Sequence, residues 1–377
     1  MKVRKLELFE HPKTRPLWEV VFPEDTKQFL DYYYFIKARE NEIYVIEEDD
    51  AIRSMIQLNP YTITLGGHSF PARYIIAVAT QEEYRGRGYM RRLLQRTMQE
   101  MYDEKMPITF LMPAAEAIYA PHDFRFVYEQ LQMTLCGKES HLPIEEVDAT
   151  LFDAEEIAQF FHSHFAQQFQ VYAQRDAAYY QTRILEQQSE NGGIRLLREK
   201  GKLVGMFFYA KGEAYEILEP LFLPAYENAF LQAVAHVVGD KETVRVLASP
   251  TTLECFAQEI QKKPLIMFRI LHLETLLKSI RLKENVTISC SFGVLDPILT
   301  QNSRIWRLET DEDGNVIVSE TEDSQGVLTI GALTDFLFGV RTLEEIKMEQ
   351  DVLLTEELES QLRKIEKFAP IFLNEVV

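Results

Sequence analysis

Val78-Ala79-Thr80-Gln81-Glu82-Glu83-Tyr84-Arg85-Gly86-Arg87-Gly88-Tyr89-Met90 is the stretch whose reading decides the fold. On its N-terminal side, Tyr74-Ile75-Ile76-Ala77-Val78-Ala79 is an unbroken apolar run, the pattern of a strand buried on both faces and so central in its sheet. On its C-terminal side, Met90, Leu93, Leu94, Met98 and Met101 recur at three- and four-residue steps, which predicts an amphipathic helix that begins near Tyr89 and is stopped by Pro107. A strand, a glycine-bearing loop and a helix in this order place unpaired backbone N–H groups at a helix N-terminus, a geometry that binds pyrophosphate. Gly86 and Gly88 let the backbone approach an anion closely, and Arg85 and Arg87 add charge there. No G-x-x-x-x-G-K-[ST] occurs, and the G-x-G-x-x-G of dinucleotide-binding folds is incomplete.

Working outward, Ile43–Ile46 and Ala51–Leu58 flank an acidic turn and predict one hairpin; Tyr61–Leu65, Gly66-Gly67 and the residues from His68 predict a second. Ile108–Met112 reads as a short strand, followed by a helical stretch around Ala114–Tyr119. From about Ile144 the pattern restarts with a long helical region through Tyr180, strands Gly193–Leu197, Leu203–Tyr209 and Tyr215–Leu218, and helix Glu227–Val237. No basic glycine loop precedes that last helix, so the second unit reads as a copy without the phosphate cradle. A third unit begins near Phe268, with Leu271–Ser279 helical, strands around Val286–Ser291, Ser303–Leu308 and Val316–Ser319, and then two helices around Ala332–Phe338 and Leu343–Glu349. The expected division is therefore 1–143, 144–267 and 268–377. Asp311-Glu312-Asp313-Gly314 has its glycine at the wrong place for an EF-hand and reads as a hairpin turn.

The chain has 377 residues, enough for roughly two to three domains, and 46% hydrophobic with 26% charged residues is an ordinary globular balance. Forty Lys and Arg against 59 Asp and Glu give a net charge of -19, which disfavours nucleic acid and concentrates cations, so amines, polyamines or basic peptides are the expected small partners. Cys136, Cys255 and Cys290 are too few and too scattered for a disulfide framework or a zinc site, and a reducing cytoplasm is expected. Met1–Glu10 is charged throughout and no run of ~18 apolar residues occurs, so neither a signal peptide nor a membrane span is expected.

The segment Val78–Met90 resembles the acetyl-CoA loop of the GNAT superfamily of N-acetyltransferases, whose pattern is [QR]-x-x-G-x-[GA]. Arg85 and Gly88 match it, and Met90 departs from the final small residue. Ala117-Ile118-Tyr119 followed by Phe124 resembles the superfamily's F-Y-x-x-x-G-F, with Asp123 where glycine is usual. An active acetyltransferase unit, a degenerate second copy and a third unit similar to sterol carrier proteins together resemble the enhanced intracellular survival (Eis) family over essentially the whole chain. The helix pair in Thr329–Thr342 and the tail Ile371–Val377 carry the resemblance at the C-terminal end. The implied fold is α/β (α+β): two tandem GNAT-like domains, the second degenerate, plus a C-terminal sterol-carrier-protein-like domain. The resemblance also implies a homohexamer.

The implied activity is transfer of an acetyl group from acetyl-CoA, without a metal, to primary amines such as those of aminoglycosides, polyamines or lysine. By resemblance, Arg85, Gly86, Arg87, Gly88, Tyr89 and Met90 hold the cofactor, and the backbone N–H groups of Ala77, Val78 and Ala79 polarise the thioester carbonyl at a strand bulge. Tyr119 is the candidate acid, since a phenol with a reference pKa near ~10 can donate to a thiolate of comparable basicity. The α-carboxylate of Val377 is implied to enter the first unit's site and help take the amine's proton. Glu24, Asp25 and Asp31 beside Phe29, Tyr32, Tyr33, Tyr34 and Phe35, together with Glu375, form the expected acceptor pocket, although an aromatic stripe on a helix ordinarily faces the core. His122-Asp123 is passed over as a base pair, because adjacent residues seldom converge on one target. The rival reading is a lipid carrier or acyl-CoA sensor without turnover.

Overall fold

The computed structural model describes residues 2–136, 143–211, 215–239, 243–248, 250 and 257–375. In the first unit the order is β1 (Lys2–Lys5), α1 (Arg15–Val21), α2 (Lys27–Phe35), β2 (Glu42–Glu48), β3 (Ala51–Leu65), β4 (His68–Thr80), α3 (Tyr89–Asp103), β5 (Ile108–Leu111), α4 (Glu116–Tyr119) and β6 (Arg125–Cys136). The two predicted hairpins share one strand: β3 runs unbroken through Asn59-Pro60, with Pro60 opposite Arg73 of β4. The helix predicted from Tyr89 is present, with Leu93, Leu94, Met98 and Met101 buried on its sheet-facing side.

The second unit comprises β7 (Glu145–Asp148), α5 (Ala154–His164), β8 (Val171–Ala173), α6 (Ala177–Ser189), β9 (Gly193–Glu199), β10 (Lys202–Lys211), β11 (Tyr215–Phe222), α7 (Glu227–Val238), β12 (Thr243–Leu247) and β13 (Ala257–Ile270). The long helical region expected from Ile144 to Tyr180 is thus two helices with strand β8 between them. Val171 and Ala173 of that strand are fully buried, and it pairs with Ile63–Leu65 of β3, so sheet pairing overrides local helical pattern.

β13 inserts between β5 and β6, antiparallel to both, so the last strand of the second unit completes the first unit's sheet. The result, among the described residues, is one 14-stranded sheet through both units. The third unit packs α8 (Leu273–Leu277), α9 (Ile330–Leu337), α10 (Leu343–Ile346) and α11 (Glu356–Leu362) on a five-stranded sheet of β14 (Ser289–Leu295), β15 (Ile305–Thr310), β16 (Val316–Glu320), β17 (Gly326–Thr329) and β18 (Leu353–Leu354). The acidic segment from Asp311 is the expected turn, its carboxylate accepting from the N–H groups of Asp313 and Asn315. Phe268 of β13 meets Phe338 edge-on at 5.0 Å, joining the first sheet to the third unit in one apolar core. Each such buried ring contributes about 1.5–3 kcal/mol. The chain then returns: β19 (Ile371–Phe372) pairs in parallel with β8.

Two places in the large sheet share one geometry. In β3–β4 the pairs Met55↔Ala79 and Gln57↔Ile76 set Ala77 and Val78 against the single residue Ile56. In β10–β11 the pairs Met206↔Leu221 and Phe208↔Leu218 set Glu219 and Pro220 against Phe207. Each bulged strand is followed by a helix and then a parallel strand, β4-α3-β5 and β11-α7-β12. The second unit therefore repeats the first around its central crossover.

Candidate active site

β4 and β5 pair only at Tyr74↔Phe110 and Ile75↔Leu111, after which β4 runs on through the bulge while β5 ends. The two strands part at the bulge. Ala77 has φ +48°, left-handed for a residue with a Cβ, and the extra residue takes backbone N–H groups out of the ladder at the head of the gap.

Gly86 and Gly88 lie past the end of β4 with φ +75° and +77°, conformations that glycine adopts without penalty, and Gly88 caps α3. A Cβ at either would meet nothing within 4 Å, so the backbone is open to a ligand. The first turn of α3 contains no acidic residue. Arg85 and Arg87 are exposed; Arg85 donates to the Thr80 carbonyl at 3.3 Å, and Arg87 donates to the Glu83 carbonyl at 3.0 Å while stacking over Tyr84. Tyr89 is buried and its hydroxyl donates to Glu48, which ties the helix start to β2; Met90 is half-buried behind it. Open glycine backbone, a helix N-terminus and two exposed guanidinium groups are the donor set that a pyrophosphate needs.

Tyr119 ends α4, buried beside Phe124 at 5.9 Å edge-to-face, and its hydroxyl donates to no described residue. Burial pushes that hydroxyl up to about 12, so it stays protonated through neutral pH. Asp123, where the motif usually has glycine, has φ +60°, a region that Asp tolerates better than most residues. The neighbouring His122 is held below its ordinary pKa, chiefly by burial.

The acidic residues beside the aromatic stripe are spread out. Glu24 is exposed, Asp31 is exposed and paired with Arg15 at 2.6 Å, and Asp25 accepts from the Trp18 indole at 2.6 Å. Phe29, Tyr32 and Tyr33 are core, with Tyr33 bonded to Gln57, Asn59 and Asn41. Glu375 is fully buried elsewhere, 3.4 Å from Arg175 and 3.0 Å from the Tyr179 hydroxyl, and burial raises its pKa. Val377 lies outside the described residues.

Through Tyr179, which donates to Glu375 and lines one cleft with Tyr61, Glu375 adjoins the first unit. Burial first, and then the Glu375 carboxylate, push the hydroxyls of Tyr61 and Tyr74 well above the ordinary phenol value, and Tyr74 also feels Tyr119. Tyr61 meets Tyr74 at 6.0 Å, and it lines a cleft of about 400 Å³ between the first two units with Lys37, Arg73, Asp176, Tyr179 and Arg183. Arg175 is not legible as a site residue in the sequence, because its partners Glu219 and Glu375 come from distant parts of the chain.

Residues 2–127 match the family model described as acetyltransferase (GNAT) domain, and residues 273–372 match that of the sterol carrier protein domain. Three similar solved structures span nearly whole chains. A probable N-acyltransferase from Enterococcus faecalis V583 has 18% identity and a TM-score of 0.82 over 97% of both chains. A GCN5-related N-acetyltransferase from Anabaena variabilis ATCC 29413 has 18% identity and a TM-score of 0.79 over 99% of this chain and 98% of that one. Eis1 from Mycobacterium abscessus has 12% identity and a TM-score of 0.70 over 98% and 97%. No curated protein matches the sequence. The first unit is a GNAT acetyltransferase domain, and the chain is an N-acetyltransferase. Over its whole length the fold is similar to that of Eis1 from Mycobacterium abscessus, and the third unit matches the sterol carrier protein domain.

Proposed function

We propose that the chain transfers the acetyl group of acetyl-CoA directly to a primary amine of a cationic acceptor within a ternary complex. The observation that carries this reading is the end of β4–β5 pairing before the Ala77 bulge, with the Gly86–Gly88 helix start past the end of β4 and the Tyr119 hydroxyl, which has no partner among the described residues, in one apolar cluster with Ile75 and Val78. Arg85, Arg87 and the amides at the start of α3 hold the pyrophosphate of acetyl-CoA, whose thioester supplies the acetyl group. Backbone N–H groups at Ala77–Ala79 donate to the thioester oxygen as it gains charge. The amine nitrogen bonds to the carbonyl carbon, the C–S bond breaks, and Tyr119 gives its proton to the departing sulfur.

The amine's own proton must leave as well. The α-carboxylate of Val377 is assigned to accept it, directly or through water. The net charge of -19 concentrates a cationic acceptor near the protein. A panel of aminoglycosides, polyamines and lysine peptides, followed by release of the CoA thiol, tests the reading. Turnover with at least one amine and none with acetyl-CoA alone is expected; no turnover with any amine would overturn it.

A further inference from the structure

The second unit repeats the bulge but not its chemistry. Glu219 stands at the place of Ala77 with φ +47° against +48°, and Pro220 stands at the place of Val78. Proline has no N–H, so this bulge lacks the donor that the first unit has at the corresponding residue. Glu219 is instead fully buried, and what it holds is the other end of the chain.

Arg175, itself with no exposed side-chain surface, donates to Glu219 at 2.5 and 3.3 Å and to Glu375 at 3.4 Å. Its guanidinium lies 4.7 Å from the Phe161 ring centre and 4.8 Å from that of Phe372, so a tail residue forms one wall of its cage. Asn374 donates to Glu219 at 3.1 Å and accepts from Gln130 of β6 at 2.7 Å. Phe372 also stacks on Phe169 at 4.9 Å. Chain ends ordinarily fray, yet Phe372, Leu373, Asn374 and Glu375 are all buried. A buried arginine between two carboxylates is costly unless all three are needed together, because removing one leaves the others unpaired.

We propose that the second unit's bulge serves as a socket for the chain's end, with Arg175 and Glu219 as positioning residues that fix Phe372–Glu375 in the seam beside Tyr61 and Tyr74. This rests on the reading that the tail takes part in acetyl transfer. The socket replaces a second cosubstrate site: the carboxylate of Glu219 occupies the bulge and carries the wrong charge for a thioester oxygen that gains negative charge.

The test compares wild type with Arg175→Met and with the double variant Arg175→Met, Glu219→Gln. The double variant leaves no unpaired buried charge on the second unit, which keeps it folded where the single variant fails. Carboxypeptidase Y digestion of the full chain reads the tail directly, and steady-state kinetics with acetyl-CoA and an accepted amine read its effect. In the folded double variant, digestion is expected to speed up about tenfold and kcat to fall at least about fivefold, with the Kd for acetyl-CoA within about twofold. A tail as resistant as wild type, or a released tail with unchanged kcat, overturns the proposal. A chain extended beyond Val377 separates the two failures. If the extended chain is inactive while the double variant is fully active, only the socket falls; if both are fully active, the tail's part in transfer falls as well.

Discussion

Ala77 and Glu219 adopt one backbone conformation, φ +48° and +47°, at matching bulges of two repeated units, and the two side chains give the bulges different surroundings. Ala77 carries only a methyl group and is half-buried. The carboxylate at Glu219 is sealed in by Arg175 and Asn374.

One acetyl-CoA per chain follows from that contrast. α7 begins at Glu227 directly after a turn Pro224–Tyr226, with an acidic residue where α3 has none and no glycine to open the backbone. A carboxylate at a helix N-terminus competes for the N–H groups that an anion would need. Calorimetric titration is expected to give a stoichiometry of one, and a second site of comparable affinity would contradict the degenerate reading.

Arg85→Ala combined with Gly88→Val is expected to abolish acetyl-CoA binding in the same titration while circular dichroism stays native. The valine has room, since a Cβ at Gly88 meets nothing within 4 Å, so the penalty comes from φ +77°. A left-handed β-branched residue costs roughly 1–2 kcal/mol and pulls the loop away from the helix start. Unchanged affinity would show that the loop is not the cradle.

How much of this was legible beforehand follows from the range of each interaction. The β4–loop–α3 passage is local: an apolar run, two glycines and a 3.6-residue repeat lie within thirty residues, and the structure forms each element where the pattern puts it. β13 is a different case, because nothing near Ala257–Ile270 says that it will sit between β5 and β6, more than a hundred residues back. β8 was masked by helix-favouring neighbours, and its strand identity comes from Ile63–Leu65 and Ile371–Phe372 on either side. The same holds at the site. Gly86 and Gly88 announce themselves, whereas Arg175 and Glu219 acquire a role only when Asn374 and Glu375 arrive from the far end of the chain. The aromatic stripe from Phe29 to Phe35 was ambiguous for another reason: core packing and cation binding use the same residues, and Phe29, Tyr32 and Tyr33 went to the core.

Tyr119→Phe preserves the ring that packs on Phe124 and removes only the hydroxyl. A general acid is worth roughly 10²–10⁴-fold, so kcat is expected to fall by that factor with little change in acetyl-CoA affinity. The sign of the pH effect follows from burial, which disfavours the phenolate and raises the hydroxyl to about 12. The acid form is therefore complete below pH 10, and the activity should show no basic decline from this group between pH 7 and about 10. A loss below about threefold would return Tyr119 to a packing role.

The end of the chain gives the last prediction. Four consecutive tail residues, Phe372 to Glu375, are buried, and Glu375 lies where its charge acts on Tyr61 and Tyr74. A free α-carboxyl with a reference pKa of ~3.5 is a weak base, so it must either be raised by burial or act mainly by orienting the ammonium and a water. Adding several residues after Val377 displaces this carboxylate without deleting any side chain, whereas Glu375→Gln removes the neighbouring charge and keeps the terminus. The extension is expected to cut kcat/KM for the amine at least about tenfold, with acetyl-CoA affinity and Tm almost unmoved, because the cradle at Gly86–Gly88 and the core are untouched. Glu375→Gln should change kcat/KM by less than the extension does, since its carboxylate is held by Arg175 and Tyr179 and is not free to take a proton from the acceptor. An extended chain with full activity would eliminate the carboxylate as a catalytic group, and a Glu375→Gln variant as impaired as the extension would move that role from the terminus to Glu375.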